Sequence, residues 1–422
     1  MKTKLGDIAY ITKLAGYEHT KYIQGNISHC RDAQHEVPLF IGKTVRNGKI
    51  DEEYDWFLPS SISDLLPRSQ LTKKCIVMPY VGSLGDLAIF YANERCHLGS
   101  NICKIELQKG CKYNEEFVYF FLKSPEGQAR LFRNVQGAVQ KNITMESIRN
   151  IELPDASEYT QRQIVACLSA IDAKIENNNA VCADLEGMAK LLYDYWFVQF
   201  DFPDENGNPY KSSGGKMVWN EELKREIPDG WGCFSLGKIA SIVNETVDPQ
   251  RNRETVFEHY SIPAFDDGAF PVIERGSDID SGKYAVPQGA ILVSKLNPQF
   301  KRIWDPLCIG TNCICSTEFM PVVANVSTKR AFLFSLLNSD TFQKYMVQAS
   351  SSSTGSRKRM QPELCGKFLF ASPTNNDIFL NFSALVDPML ATIKNARIEN
   401  NDLIQLRDFL LPMLMNGQVK VG

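Results

Sequence analysis

The sequence is poor in everything that would mark a membrane protein, a metalloprotein or a nucleotide-driven enzyme. None of its apolar runs reaches the roughly 18 residues needed to span a bilayer. Met1–Tyr10 (MKTKLGDIAY) lacks the apolar core of a secretory signal, so a cytoplasmic chain with no membrane association is expected. Only 5 His occur, and the 12 Cys include the close pair Cys313 and Cys315 but no C-x-x-C. That spacing argues against a structural zinc site and fits reduced thiols. No G-x-x-x-x-G-K-[ST] phosphate loop, no G-x-G-x-x-G after a strand, no H-E-x-x-H and no G-x-S-x-G is found. Asn208-Pro209-Tyr210 faintly resembles the tetrapeptide with which amino-methyltransferases grip a flipped base, but it sits in a Gly-rich stretch that reads as turns. Pro203-Asp204-Glu205 starts like a nuclease carboxylate cluster, with no spaced acid and Lys on a second strand. No catalytic residue, metal or cofactor is therefore expected in the chain.

What is present is an ordinary globular composition, 44% hydrophobic and 23% charged over 422 residues. That excludes a disordered or fibrous chain and allows two to three domains. The net charge of −3 hides an alternation. Residues 1–150 carry +4, residues 151–230 carry −8, residues 231–370 carry +2 and the remainder −1. Two mildly basic lobes alternate with acidic or neutral segments, a pattern suited to a polyanion facing the lobes alone.

The chain repeats itself. Leu5-Gly-Asp-Ile-Ala9 returns as Leu236-Gly-Lys-Ile-Ala240, each followed by about 140 residues with short β-rich runs. Each lobe then offers an amphipathic helix, expected over Glu115–Leu131 and Lys329–Met346, and closes at Pro154 or Pro373. Beyond each Pro lies a heptad seam: Ile164, Leu168, Ile171, Ile175, Asn178, Cys182, Leu185, Ala189, Leu192 and Trp196. The same seam returns 218 residues later, from Phe382 to Leu414, with Asn400 and Arg407 as polar breaks. Two such seams predict an antiparallel coiled coil. Paired end to end, Ile164 meets Leu414, Trp196 meets Phe382, and Asn178 meets Asn400 as a register pair.

The expected fold is α+β, with two mixed α/β lobes separated by two long antiparallel coiled-coil helices and an internal pseudo-two-fold. The expected boundaries are residues 1–153 and 231–372 for the lobes, 154–200 and 373–416 for the spacer helices, and 201–230 for a connector rich in Pro, Gly, Ser and Asp. Polar, basic loops recur at matching places. Ser350–Arg359 matches Val135–Asn142, and Lys295–Trp304 matches Pro79–Asp86. Arg and Lys suit phosphates and guanine edges, and Asn and Gln suit adenine.

These residues resemble the specificity (S) subunits of bacterial Type I restriction–modification enzymes, over essentially the whole length. The most specific stretches are the connector DFPDENGNPYKSSGGKMVWNEELKREIPDGW and the turn VGSLGD, followed by Gly99-Ser-Asn-Ile102. Gln161-Arg-Gln-Ile164, SKLNPQFKRIW and STEFMPV belong to the same pattern. The resemblance implies two target-recognition domains, each reading half of a bipartite double-stranded DNA site, in a chain that is not itself an enzyme. It implies docking of methyltransferase (M) subunits, two by the helix repeat, and of restriction/translocase (R) subunits in a full complex. S-adenosylmethionine would then belong to the M subunit. The residues expected to face DNA are Lys43, Arg46, Ser83, Asn101, Gln140, Lys141 and Asn142 in the first lobe. In the second they are Lys295, Asn297, Gln299, Lys301, Arg302, Ser356, Arg357, Lys358 and Arg359. The lobes differ widely in their loops, so their half-sites should differ. A helix over Thr160–Trp196 would be about 55 Å long at ~1.5 Å per residue, or roughly 16 base pairs. The rival readings are a two-armed protein-interaction scaffold without DNA recognition, and an enzyme with its own active site.

Overall fold

A computed structural model describes residues 3–46, 48–133, 142–350 and 358–420. The chain divides into two compact units, Met1–Lys174 with Leu403–Gly422, and Ile175–Asp402. The division falls inside the two long helices rather than at the lobe ends, because each lobe buries its apolar face on the helix segments nearest to it.

In the first unit the main strands are β1 (Ala9–Lys13), β2 (Val37–Phe40), β3 (Phe57–Leu58), β4 (Gln70–Leu71), β5 (Cys75–Pro79), β6 (Ala88–Phe90), β7 (Cys96–Leu98) and β8 (Ile102–Leu107). They form two four-stranded sheets, ordered β1-β8-β5-β6 and β3-β2-β7-β4. Only β2 and β7 pair in parallel. The runs Cys75–Met78 and Ile102–Ile105 are buried throughout, as central strands covered on both faces should be. The repeat motif closes the lobe: the Leu5 amide donates to the Ile151 carbonyl at 2.8 Å.

The expected amphipathic helix over Glu115–Leu131 is instead two, α1 (Glu115–Lys123) and α2 (Pro125–Phe132). The break is Ser124, extended at φ −64 and ψ 156, whose hydroxyl oxygen accepts from the Gly127 amide at 3.1 Å. A Ser N-cap followed by Pro starts a new helix rather than continuing an old one. Gly127 is required there, since a Cβ would stand 2.0 Å from the Phe121 carbonyl oxygen.

The first long helix, α3 (Glu158–Tyr193), starts where the Ser157 hydroxyl accepts from the Thr160 amide at 3.1 Å. Gln161, the first residue of the QRQI stretch, is buried. Its amide oxygen accepts from Asn114 N at 3.0 Å, and its amide nitrogen donates to the carbonyls of Lys112 and Ala156. That glutamine ties the start of α1 to the start of α3. Ile164 and Leu168 then join one apolar cluster with Phe117, Phe121, Leu411 and Leu414.

The second unit repeats the plan. The segment expected as a plain connector contains a hairpin, β9 (Met217–Asn220) with β10 (Arg225–Pro228). It is packed rather than loose. Phe202 stacks on Tyr210 and Trp231 with centroids at 4.8 and 5.1 Å, and the Asp201 carboxylate accepts from the Ser212 amide and hydroxyl, both at 2.7 Å. Aromatic stacking among the turn residues, invisible to a composition argument, is what orders it.

The second lobe's strands are β11 (Trp231–Ser235), β12 (Ala240–Ile242), β13 (Thr246–Val247), β14 (Val256–Tyr260), β15 (Val272–Arg275), β16 (Lys283–Ala285), β17 (Ile291–Ser294), β18 (Ile303–Trp304), β19 (Cys313–Cys315) and β20 (Phe319–Ala324). The sheets are ordered β12-β20-β17-β18 and β15-β14-β19-β16-β13. The first matches the β1-β8-β5-β6 sheet. In the second, β14 and β19 form the parallel pair, as β2 and β7 do. The helix expected over Lys329–Met346 is again two, α4 (Arg330–Asn338) and α5 (Asp340–Gln348), divided at Ser339, which accepts from the Phe342 amide at 3.2 Å. The last strand, β21 (Leu369–Pro373), pairs with β11, and Leu236 N donates to the Phe368 carbonyl at 2.9 Å, as Leu5 does to Ile151.

The chain's last helix is α6 (Asp377–Met415). In the second unit it runs antiparallel to α3 and to the π-helical turn Asp194–Val198 that continues it: Trp196 of that turn meets Phe382 with rings 5.6 Å apart, and the Asn178 amide donates to Asn400 Oδ1 at 2.9 Å. In the first unit Arg407 pairs with Asp172 at 3.0 Å. Among the described residues, no helix is long and apolar enough to cross a membrane, and no group of three His, Cys, Asp or Glu is arranged to hold a metal.

Candidate nucleic-acid interface

Each lobe brings together the two loops that match across the repeat, and does so with the same backbone bonds. In the first lobe β5 is followed by Tyr80, whose amide donates to the Asn101 carbonyl at 3.1 Å. The Tyr80 carbonyl accepts from Ile143 N at 2.9 Å, and Val81 bridges Asn142. In the second lobe β17 is followed by Lys295, whose amide donates to the Glu318 carbonyl at 2.9 Å. The Lys295 carbonyl accepts from Met360 N at 2.9 Å, and Leu296 bridges Arg359. The loop after the central strand, the turn before the long strand and the segment before the closing helix thus converge at one end of each lobe.

In the first lobe this gathers Lys43, Asn101 and Asn142. Gly42 N donates to the Ser100 carbonyl at 3.0 Å, and a Cβ on Gly42 would stand 3.2 Å from that of Asn101, so the turn carrying Lys43 lies directly against Asn101. Asn101 takes the left-handed conformation at φ 63, which Asn tolerates better than most residues, and is exposed. Ser83 is exposed at the tip of the VGSLGD turn, where Gly82 and Gly85 supply φ values of 86 and 91. Arg46 is exposed as well. Lys43 is not free: its ammonium lies 2.6 Å from an Asp55 carboxylate oxygen. Gln140 and Lys141 lie outside the described residues.

In the second lobe the basic residues divide into those that build the loop and those that face out. Arg302 donates to both carboxylate oxygens of Asp266 at 2.7 and 2.8 Å, which holds that carboxyl below its ordinary range. Arg359 grips Glu318 with its closest contact at 2.7 Å, and the ion pair raises its own pKa. Lys301 donates to the Asn338 carbonyl, at the end of α4, at 2.6 Å. Asn297, left-handed at φ 48, accepts from the Lys358 amide at 3.1 Å while its own amide donates to the Lys358 carbonyl at 2.8 Å. That leaves Gln299 and Lys358 exposed, with no side-chain hydrogen-bond partner among the described residues, and Lys295 half-buried beside them. Ser356 and Arg357 lie outside the described residues.

Chemically, Gln299 carries the donor and acceptor needed to read an adenine edge, and Lys358 the charge needed for a phosphate or a guanine. Composition and loop position did not single out Lys13, whose ammonium lies 4.4 Å from the Tyr80 ring centroid at the mouth of the first lobe. Nor did they find the acids Asp266 and Glu318, which face their arginines across 36 and 41 residues of chain. No local signal marks such long-range ion pairs. Away from this end, Asn178 and Asn400 are buried and touch each other, with Asn178 also donating to Glu399 at 2.8 Å and Asn400 to Asn179 at 2.9 Å.

Comparison with known proteins agrees with this architecture. The family described as the Type I restriction modification DNA specificity domain matches residues 53–186. The specificity subunit of the Type I restriction enzyme MjaIX from Methanocaldococcus jannaschii is 25% identical, over 72% of this chain and 69% of its own length. That of the enzyme HindI from Haemophilus influenzae is 22% identical, over 72% of this chain and 77% of its own length. In fold, the chain is similar to the crystal structure of a Type I restriction–modification S subunit from M. genitalium, with a TM-score of 0.57 at 15% identity, covering 98% of this chain and 95% of that one.

Proposed function

We propose that the chain is a specificity subunit of Type I restriction–modification enzymes, a non-catalytic component that recognises DNA sequence, and that each of its lobes reads one half of a bipartite double-stranded site. The observation that carries this reading is the repeated constellation at the ends of β5 and β17. The same three backbone contacts present a polar, basic edge in both lobes, while the side chains on that edge differ. A common scaffold with different side chains is what two unequal half-sites require. Phosphate contacts would set the register and base edges would supply the sequence.

In this reading residues 1–153 and 231–372 are the two target-recognition domains, and residues 154–200 and 373–416 the helices on which partner subunits assemble. The helices repeat, so they offer two equivalent surfaces to two M subunits, which would bring S-adenosylmethionine and its chemistry. R subunits would join the same assembly. Lys43, Arg302 and Arg359 act by shaping the loops, and Lys358, Gln299, Asn101 and Asn142 by touching DNA.

The test is binding by the assembled complex of this chain with its M subunits. The probe is a duplex carrying the motif that the complex methylates in plasmid DNA. Scrambling either half of the motif should weaken binding strongly, and the affinity should fall with salt. Equal affinity for the motif and for scrambled duplexes would leave the protein-scaffold alternative in its place.

A further inference from the structure

Phe300 sits at the tip of the loop between β17 and β18 and is 57% exposed. Its neighbours at that tip, Gln299 and Lys358, are exposed too. The loop beneath it is held in place. The Phe300 amide donates to the Asn297 carbonyl at 3.0 Å, Lys301 is bonded to the Asn338 carbonyl, and Gln343 donates to the Pro298 carbonyl. One face of the ring is covered: the Arg302 guanidinium lies 5.3 Å from the ring centroid, and Asp266 fixes that guanidinium from behind. More than half of the side chain remains exposed. An aromatic ring held rigidly in water among cationic and amide side chains gains free energy only when something covers it, and the charge around it selects a polyanion.

We infer that Phe300 is a specificity residue that packs the exposed part of its ring on the C5 methyl of one thymine in the major groove of the half-site read by the second lobe. The inference rests on the DNA-reading role proposed above. A ring that intercalates is sandwiched between base pairs and uses both faces. Here Arg302 occupies one of them, which leaves the apolar contact with a thymine methyl as the mode the ring can make. The matching loop of the first lobe, Pro79–Asp86, has an aromatic residue at its base, Tyr80, with the Lys13 ammonium over its ring, and none at its tip. The effect therefore belongs to one half-site, and the other serves as the control.

The experiment uses the complex of this chain with its M subunits and duplexes carrying its methylated motif. Each thymine is replaced in turn by deoxyuridine, which removes the methyl and nothing else. With the wild-type chain, one position in one half-site should lose about 4-fold in affinity, the equivalent of one methyl-sized group returned to water. With Phe300→Ala the parent duplex should bind several-fold more weakly, and that position should become indifferent to the methyl. Phe300→Leu should keep the sensitivity, since it keeps an apolar contact. The inference is overturned if no position shows a methyl effect that depends on residue 300, or if the half-sites contain no thymine. It is also overturned if 2-aminopurine beside the site brightens with wild type but not with Phe300→Ala, which would report a wedge. If the wild-type complex fails to distinguish motif from scrambled duplex, the DNA-reading role itself falls. If it distinguishes them and residue 300 is immaterial, only this inference does.

Discussion

Arg302 and Lys358 stand in the same loop system and carry the same charge, yet the geometry separates their roles. Arg302 has its fork closed on Asp266, whereas Lys358 is exposed and, among the described residues, bonded through its backbone alone. Lys358→Ala should therefore lower the slope of log affinity against log salt by up to about one unit, the amount expected for one lost phosphate contact. Arg302→Lys should weaken binding with little change in slope, because a single ammonium cannot hold both Asp266 oxygens and the loop loosens. Salt titrations of the two variants in the assembled complex check both. His97 gives a second residue-scale prediction. It is wholly buried in β7, and burial pushes its pKa below the ordinary histidine value. Below about pH 6.5 the unfolded chain takes up a proton that the folded lobe resists, so stability falls as pH falls, by at most ~1.4 kcal/mol per pH unit. The loss continues until the folded state is itself protonated. His97→Gln should flatten that slope in urea unfolding between pH 7 and pH 5.5, and an unchanged slope would show that the imidazole is already charged in the fold.

Among the elements, the helix pair and the paired short helices follow different physics. Asn178 and Asn400 hydrogen-bond across the α3–α6 seam in a mostly apolar stripe. A buried amide stabilises one register because any other leaves it against apolar side chains. Asn178→Leu alone strands the Asn400 carbonyl oxygen and should cost about 1–3 kcal/mol. Adding Asn400→Leu should recover that loss, so a double-mutant cycle by urea unfolding should give a non-additive term well above 0.5 kcal/mol. Additive effects would mean that the amides do not act as a pair. The double variant should also accept a wider range of spacings between half-sites, since the constraint on register is gone. The seam was legible because heptad spacing is a strong, long signal that any partner must satisfy. The breaks at Ser124 and Ser339 were not, although each Ser stands in plain view: α1 and α2 share an amphipathic pattern, and only a capping bond at the Ser tells two helices from one. Ser339→Ala should cost about 1 kcal/mol of stability through that cap, measurable by thermal or urea unfolding.

At the scale of the whole molecule, the chain is two copies of one plan with different surfaces. The sheet orders, the single parallel strand pair and the closing bond of the LGxIA motif all recur. If the chain acts as the proposed non-catalytic specificity subunit, it should show no methyl transfer from labelled S-adenosylmethionine and no DNA cleavage when purified alone. Methyl transfer should appear once M subunits are added. Native mass spectrometry of the reconstituted methyltransferase should give two M subunits per copy of this chain, and a one-to-one complex would show that the two repeated helix surfaces are not equivalent.

Repeat, heptad seam and residue chemistry are local or periodic properties, so the order of amino acids by itself determined the two lobes, the two long helices, their register and the absence of familiar catalytic motifs. Tertiary structure decided everything that depends on contacts between distant residues. Asp266 and Glu318 take Arg302 and Arg359 into the loop framework, Asp55 takes Lys43, and the stacked rings of Phe202, Tyr210 and Trp231 turn a Gly-rich connector into an ordered hairpin segment. Charge in a sequence tells only that a side chain can meet a phosphate. Whether it is available to do so depends on what the fold brings within hydrogen-bond reach, and ion pairs formed across tens of residues leave no local trace.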